Sequence, residues 1–463
     1  MSQHDGLNRR SFLRNVGLTA VAGAAGAVGP GAALLGAGSG PIAEPVNGKY
    51  DFDTPYNRFG TDSVKYDQQI RTFGKDSVQV GMGIADMDFR VAPVITKALM
   101  DRLQHENWGY LDMPHSFVEG IASWNKRRYG VDINPEALVI TTGVHPGLIA
   151  ALKTFSPPGS KVLLNTPTYN GFYGDLTYTG TIPEENPLKL VNGRYSIDFE
   201  DFERRISHST NTFILCNPQN PTGNCWSPED LTRLGEICLR RRVVVLADEI
   251  HCDWVTKGNK YTPFASLPNK AIVDNSITFK AASKSFGLAA MKCAWFYSTN
   301  QDYLARVKAN NKADLTTLGM IASKAAYAGG EDWLNQCVAY VDGNHDFVDS
   351  FIRANMPLVK TVKPQGTYLS WLDVSAVADK IGAKELAAEA SKMQAASAKP
   401  LTAEQMVERH FVKRAKVHMN AGSTYGYGGQ NHMRMNIATS RKTLELALNN
   451  LAAALKQNVG SLG

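Results

Sequence analysis

The sequence predicts an α/β protein with a mostly parallel sheet, followed by a smaller α+β unit. Short apolar runs alternate with helical patterns in the middle of the chain, as in parallel sheets covered by helices on both faces. These runs span residues 138–141, 161–164, 212–216 and 243–247. Reactive side chains follow directly after such runs, at the sheet edge where ligands bind. They are Tyr169, Asn220, Asp248 and Lys284.

Composition is that of a globular protein. The 463 residues are 43% apolar and 20% charged, enough for two or three domain-sized cores. The 49 basic and 43 acidic residues leave a net charge of +6, too small and scattered to indicate nucleic-acid binding. The six cysteines form no C-x-x-C pair, so neither a disulfide framework nor a metal site is predicted.

Residues 1–45 are predicted to be a twin-arginine export signal and linker. Arg9 and Arg10 precede Phe12 and Leu13, and a weakly apolar tract rich in glycine and alanine runs on to about residue 38. Its glycines and Pro30 argue against a stable membrane span. We therefore expect export in folded form to the periplasm. The alternative is a disordered basic leader.

The next predicted units are an N-terminal arm, residues 46–90, and a large domain, residues 91–335. The arm is polar and rich in turns. In the large domain a helix over 92–103 precedes the aromatic cluster Trp108-Gly109-Tyr110, and a helix over 116–129 leads into the first strand.

A turn with the sequence Gly143-Val144-His145-Pro146-Gly147 joins that strand to an apolar helix over 148–155. Proline suits the first turn of a helix, where its missing N–H group has no function. The free amides of Val144 and His145 then lie at the positive end of the helix, which indicates a phosphate site.

Two side chains later in this domain point to a cofactor. Asp248 ends the strand over 243–247, after a helix over 227–240. Lys284 lies on a short polar turn between apolar runs at 276–279 and 293–297. This pair suits pyridoxal 5′-phosphate (PLP), because a lysine amine forms a Schiff base with its aldehyde and a carboxylate keeps its pyridine nitrogen protonated.

Residues 336–463 are predicted to form the smaller C-terminal domain. Its α+β pattern opens at 364–373 and continues with a helix over 383–396. Thr402 and Gln405 form a capping-box pattern, and the last helix, about 441–456, repeats leucine at core spacing.

Several motifs are spread along almost the whole chain: Ala85-Asp86-Met87-Asp88-Phe89, Trp108-Gly109-Tyr110, Asn217-Pro218-Gln219-Asn220-Pro221-Thr222-Gly223, Asp248-Glu249-Ile250-His251, Ser283-Lys284-Ser285-Phe286, Gly366-Thr367-Tyr368 and Arg434-Met435-Asn436-Ile437-Ala438. With them, residues 50–460 resemble the fold-type I PLP-dependent enzymes of the class I/II aminotransferase superfamily. Within that superfamily the chain is most similar to the cystathionine β-lyase-like C–S lyase branch, and His251 favours this branch.

The resemblance implies a fold and a set of roles. The large domain would contain a seven-stranded-type sheet. Lys284 would carry the cofactor and move the substrate Cα proton, and Asp248 would pair with the pyridinium nitrogen. Tyr169 would stack on the ring, and Asn220 with His251 would hydrogen-bond its phenolic oxygen.

The resemblance also implies the remaining contacts. The phosphate would be bound by Gly143, Val144, His145, Ser283 and Lys292. Tyr110 would reach it from a second subunit, so a homodimer is expected.

Arg434 would bind the substrate carboxylate, with the Ala85 backbone opposite. Simpler structural roles remain open: a surface position for Arg434 or Lys292, and a core position for His251 or Tyr169.

Two features depart from the family pattern. Ala281 replaces a phosphate-binding serine of some relatives, so the phosphate site would depend on other donors. The segment between Asp373 and Gly422 is long, which leaves the substrate entrance and substrate choice open.

The expected function is therefore C–S β-elimination from cystathionine or a cysteine conjugate, an amino-acid substrate. The alternatives are an aminotransferase on the same scaffold and a non-catalytic PLP-binding or regulatory protein.

Overall fold

The computed structural model describes residues 42–395 and 397–457, so nearly all of the predicted export signal lies outside the described residues. The strands are β1 (Val80–Gly81), β2 (Leu138–Thr141), β3 (Lys161–Thr166), β4 (Ile182–Pro187), β5 (Lys189–Val191), β6 (Arg194–Ser196), β7 (Thr210–Cys216), β8 (Val244–Asp248), β9 (Ser276–Lys280), β10 (Ala294–Tyr297), β11 (Lys360–Thr361), β12 (Leu369–Asp373), β13 (Val417–His418), β14 (Asn420–Ala421) and β15 (His432–Asn436).

The helices are α1 (Asp67–Phe73), α2 (Pro93–Leu103), α3 (His115–Tyr129), α4 (Val144–Phe155), α5 (Gly171–Thr179), α6 (Phe199–Arg205), α7 (Pro228–Arg241), α8 (Lys270–Asp274), α9 (Ala282–Phe286), α10 (Gln301–Asn310), α11 (Thr317–Gly329), α12 (Glu331–Asn355), α13 (Ser375–Ile381), α14 (Ala383–Lys392), α15 (Ala403–Ala415) and α16 (Arg441–Lys456). Among the described residues, no helix is long and apolar enough to cross a membrane.

A seven-stranded sheet organises the large domain, in the order β2-β10-β9-β8-β7-β3-β4. Strand β10 is antiparallel to both of its neighbours, and all the other pairs are parallel. The carboxyl ends of β3, β7, β8 and β9 therefore meet at one edge of the sheet.

Both faces of this sheet are covered because the central strands are apolar throughout. In β8, Leu246 packs in the same cluster as Leu148 of α4, whereas its neighbour Val245 packs in the cluster of Leu231 from α7. Helix α7 begins where Ser227 caps the amide of Asp230, and it ends with basic residues that suit the negative end of the helix dipole.

The C-terminal part contains a four-stranded antiparallel sheet, β11-β12-β15-β14. Strand β1 from the N-terminal segment pairs with β13, which attaches that segment to the smaller unit. The capping box of Thr402 and Gln405 forms at the start of α15. The predicted α/β class, with a mostly parallel sheet and a smaller α+β unit, is confirmed.

Three local predictions were wrong. Helix α4 begins at Val144, four residues before the predicted start at 148, and α14 ends at Lys392 before the predicted 396. The predicted turn at Lys284 is the short helix α9, which ends where Gly287 adopts a left-handed φ of 71°.

Candidate active site

A cavity of about 760 Å³ opens at the carboxyl edge of the large sheet. Of the residues predicted to bind cofactor or substrate, all except Tyr110 line it. They are Ala85, Gly143, Val144, His145, Tyr169, Asn220, Asp248, His251, Ser283, Lys284, Lys292 and Arg434. The fold thus brings together side chains that are up to 349 residues apart in the sequence, from Ala85 to Arg434.

The amino terminus of α4 forms one wall of the cavity. Val144 and His145 are its first residues, and the first intrahelical bond runs from the amide of Gly147 to the carbonyl of Gly143 (3.3 Å). The amides of Val144 and His145 have no partner within the helix and lie at its positive end, as a phosphate site requires. Ser283 and the exposed Lys292 lie along the same cavity.

Asp248 is the last residue of β8 and is buried. Burial raises the pKa of its carboxyl to about 6, while the Ile250 amide and the charges of His145 and Lys284 act against that shift. A cation beside a buried carboxylate stabilises its charged form. A protonated pyridine nitrogen would be such a cation.

Lys284 projects from α9 into the cavity. Its Nζ donates to the carbonyl oxygen of Ala85 (2.7 Å), and its own carbonyl accepts the indole N–H of Trp254 (2.7 Å). Burial, with a further contribution from the charge of Arg434, lowers the pKa of the amine to about 8. A partly neutral amine near neutral pH is what a nucleophile and proton carrier needs.

Tyr169 follows β3 and is held by a histidine–aspartate pair. The Nδ1 atom of His145 lies 2.7 Å from Asp175, and its Nε2 atom lies 3.2 Å from the Tyr169 hydroxyl. Burial lowers the pKa of His145, but the hydrogen bond and charge of Asp175 outweigh it and the net shift is upward. Burial raises the pKa of Tyr169 to about 12, so this phenol stays protonated.

Arg434 of β15 is buried and forms hydrogen bonds with two other chain segments at the site. Its Nη1 donates to Asn220 Oδ1 (3.1 Å) and its Nη2 to the carbonyl of Gly83 (2.7 Å). The guanidinium lies over the ring of Tyr425, at 4.9 Å. Its Nε has no hydrogen-bond partner among the described residues, so a donor remains for a substrate carboxylate.

His251 is buried beside Tyr368, with ring centroids 5.6 Å apart. Burial and the charges of Lys284 and Arg434 hold its pKa well below the usual value, so its ring is neutral. Its Nδ1 has no partner among the described residues. A core role without any ligand would leave this polar atom unsatisfied, which favours a role in binding.

Two predicted positions behave differently from the rest. Tyr110 is fully exposed and lies outside the cavity, as a residue that acts on a second subunit would. Ala281 is buried in the core and does not line the cavity. Of the described residues between Asp373 and Gly422, Asn420 alone lines the cavity, so only the carboxyl-terminal end of the long segment reaches the site.

Sequence reasoning missed several contributors. Thr142, Asn170 and Thr316 line the cavity with further polar groups, and Asp175 orients His145 from outside it. Thr142 and Asn170 flank motifs that were recognised, so their positions beside Gly143 and Tyr169 were a usable signal. Asp175 lies inside α5 and carries no such signal.

These residues fit PLP. Lys284, Asp248 and the amino terminus of α4 line one cavity. Two buried nitrogen atoms of its lining, His251 Nδ1 and Arg434 Nε, have no hydrogen-bond partner among the described residues. Lys284 and Asp248 would hold the cofactor at its aldehyde and ring nitrogen, and the start of α4 would hold its phosphate.

Comparison with known proteins agrees with this geometry. The family described as aminotransferase class I and II matches residues 77–451. The chain belongs to this family.

Within it, cystathionine beta-lyase PatB of Bacillus subtilis (strain 168) is 35% identical over 410 residues, covering 88% of this chain and 100% of PatB. Among solved structures, cystalysin from Treponema denticola, which contains PLP, has a TM-score of 0.78 and 28% identity, covering 88% of this chain and 99% of that one.

The PLP-bound C–S lyase from Staphylococcus hominis has a TM-score of 0.76 and 28% identity, covering 89% of this chain and 100% of that one. The family members that match this chain along their full length thus include C–S lyases. The cofactor predicted from Lys284 and Asp248 is the one that both of these structures contain.

Proposed function

We propose that the protein is a PLP-dependent C–S β-lyase. It would cleave L-cystathionine or a related cysteine S-conjugate, with water, to a thiol, pyruvate and ammonia. The observation that carries the proposal is the meeting of Lys284, Asp248 and Arg434 in one cavity. The full-length similarity to PatB supports this reaction type.

When bound, PLP would supply an electron-accepting ring that stabilises negative charge at the substrate Cα. The chain supplies the rest. Arg434 would donate N–H groups at the edge of its guanidinium, Nε–H among them, to the substrate carboxylate, and Lys284 Nζ would take the Cα proton. Asp248 would keep the cofactor nitrogen protonated, and the hydrogen bond between His145 and the Tyr169 hydroxyl holds that phenol in place.

An aminotransferase is the second candidate, because the same residues serve both reactions and the family description includes it. Charge in the cavity favours the lyase. Arg434 is the one arginine among the described residues that line it, so the described lining of a single subunit contains no second guanidinium for a distal carboxylate such as that of aspartate. A purely regulatory protein is disfavoured, since the groups needed for the chemistry are all in place.

The deciding experiment assays pyruvate, ammonia and thiol or sulfide release from a panel of sulfur amino acids. We expect release from L-cystathionine or a cysteine conjugate, and little amination of 2-oxo acids. Lys284→Ala should lower turnover by several orders of magnitude, and borohydride should no longer fix the cofactor to the chain. Efficient amination without any pyruvate from sulfur amino acids would show that the aminotransferase is correct.

We further propose that the enzyme is a homodimer and is exported to the periplasm. The exposed ring of Tyr110 supports the first proposal, and the Arg9-Arg10 pair supports the second.

A further inference from the structure

A second cavity has a volume of about 270 Å³. The β5–β6 hairpin covers it, and residues of β11, β12 and β15 and of the loop after Asn220 complete it. None of the residues that line it also lines the active-site cavity. Clefts between packed units of a protein are common places for small-molecule sites.

Two aromatic residues, Trp371 and His432, form one wall of this cavity. Their rings stack on each other, with centroids 4.9 Å apart and planes 5° apart. The indole N–H of Trp371 donates to the Tyr195 hydroxyl (3.1 Å), which fixes the orientation of the indole ring. A planar ring gains more from packing against such a wall than an aliphatic chain does.

The charge around the cavity favours an anion. Arg194 and Lys360 line it and are exposed, and within the described part of the chain neither forms an ion pair with a carboxylate. Lys363 is neutralised by Asp342 (2.9 Å) and Asp346 (2.7 Å). The lining also includes the carboxylate of Asp373, which accepts the Ser375 amide (2.9 Å). Counted with Asp342 and Asp346 it balances the three cations, so an anion would be bound by the two cations that have no carboxylate partner in the described part of the chain, Arg194 and Lys360.

Size limits the ligand further. Drug-sized ligands occupy roughly 300–1,000 Å³, so a 270 Å³ cavity suits one ring or two fused rings. Thr222 also lines the cavity, and its hydroxyl is buried without a hydrogen-bond partner among the described residues. Rotation about its Cα–Cβ bond would present that hydroxyl to an anion.

The cavity lies next to two of the chain segments that form the active site. Thr222 is two residues from Asn220, in the same loop. Trp371 pairs in the sheet with Arg434, and its ring meets the edge of Tyr425 (5.6 Å), the ring that supports the Arg434 guanidinium. A ligand in the cavity would therefore contact neighbours of Asn220 and Arg434, the residues that are predicted to bind cofactor and substrate.

We propose that this cavity binds a small aromatic carboxylate, and that its occupancy changes the affinity of the active site for its substrate. The second half of the proposal rests on the proposed lyase function, whereas the first half does not.

The test measures binding of indole-3-carboxylate to the holoenzyme by titration calorimetry, which needs no knowledge of the reaction. Val362→Trp would fill the cavity from its exposed rim, and Val64→Trp is the matched control. Both valines are about half exposed, 50% and 48%, but only Val362 lines the cavity. We expect Val362→Trp to weaken binding at least about tenfold and Val64→Trp to leave it unchanged.

Two further measurements separate the alternatives. Replacing both Arg194 and Lys360 by glutamine, or using the uncharged indole-3-carboxamide, should each weaken binding about tenfold. With cystathionine as substrate, saturating probe should change KM in the wild-type enzyme and not in Val362→Trp. Saturating probe should also change the Kd of a substrate analogue, and by reciprocity the bound analogue should change the Kd of the probe by that same factor.

Binding that survives Val362→Trp would place the probe elsewhere, for instance on Arg434, and would overturn the site. Equal affinity for the carboxamide would overturn the anion assignment. Probe binding at the cavity with no change in KM or in analogue affinity would refute the coupling. If the enzyme lacks lyase activity, the calorimetric result still decides the first half.

Discussion

At the scale of single residues, burial shifts the pKa values of Asp248 and Lys284, the two groups that the chemistry needs most, in opposite directions. It raises the pKa of Asp248 to about 6 and lowers that of Lys284 to about 8. Each group is thus less readily charged than in water, although each lies in the same cavity as the other. Burial of an ionisable group in such a site lowers the free energy of unfolding while it makes the group reactive. The loss of stability can be measured.

The first prediction concerns Asp248→Asn in the enzyme freed of its cofactor. The folded-state pKa, about 6, is above the unfolded value of about 3.9. The folded protein therefore binds this proton more tightly, and ionised Asp248 destabilises it increasingly as the pH rises from about 4 to 6. Removing the ionisable group should raise the free energy of unfolding by about 3 kcal/mol at pH 7 and by almost nothing at pH 4.

Urea unfolding of both cofactor-free proteins at the two pH values measures this difference. The variant should at the same time lose activity in the holoenzyme, because an amide cannot hold the cofactor nitrogen protonated. An equal effect of the substitution at pH 4 and pH 7 would show that ionisation of Asp248 is not its cause.

Most residues of the site could be predicted because short motifs mark them. Asp248, Asn220 and Arg434 each lie in such a motif, and the structure brings them to one cavity. Asp175 could not be predicted: it lies thirty positions from His145, and an aspartate inside a helix is usually a surface residue. Contacts between distant side chains follow from tertiary packing, which local patterns do not record.

At the scale of elements, the site consists of strand ends and helix starts. The strand ends followed from the sequence, whereas the start of α4 was predicted four residues too late and α9 was predicted as a turn. Strands β7 and β8 are apolar along most of their length, so their positions were predicted. Strand β4 was not predicted. It contains two glutamates and two prolines and forms one edge of the sheet, where an apolar pattern is not needed.

The second prediction concerns the anchor of α9, the helix that carries Lys284. The hydroxyl of Ser285 donates to Asp253, which also accepts from Arg128 (2.9 Å) and Tyr129. Ser285→Ala should destabilise the protein by about 1 kcal/mol. It should also lower kcat about tenfold, since a small displacement of a reacting group has a large effect on rate.

Ser276→Ala is the matched control. Ser276 is buried, donates one bond to the carbonyl of Val273 (2.7 Å), and lies at the opposite end of β9. It should show the same loss of stability with normal kcat and normal cofactor retention. If the two variants lose kcat equally, Ser285 does not position the lysine.

At the scale of the whole molecule, the third prediction tests the dimer through Tyr110. Tyr110→Phe should loosen PLP, because the partner's phosphate would lose a hydrogen-bond donor. Tyr178→Phe, another exposed tyrosine, should not. Mixing Tyr110→Phe with Lys284→Ala gives the sharper result.

A mixed dimer would join an intact Lys284 with an intact Tyr110 at one of its two sites, so activity should recover on mixing. If Tyr110 served only its own chain, every site would keep one defect and no recovery would occur. The same measurement thus separates a shared site from a merely dimeric protein.

The last prediction concerns export. Arg9 and Arg10 precede a tract rich in glycine and alanine, which is too weakly apolar for a stable membrane helix but suits a signal that is read by a receptor. A PLP enzyme would take up its cofactor and fold before it leaves the cytoplasm, and the twin-arginine route exports proteins in that state.

Replacing both arginines by lysine preserves the charge but removes the paired guanidinium groups. We expect the double variant to stay in the cytoplasm with its leader attached, whereas Arg14→Lys, outside the pair, should be exported normally. Cell fractionation followed by the pyruvate assay measures this, and undiminished periplasmic activity of the double variant would refute the export signal.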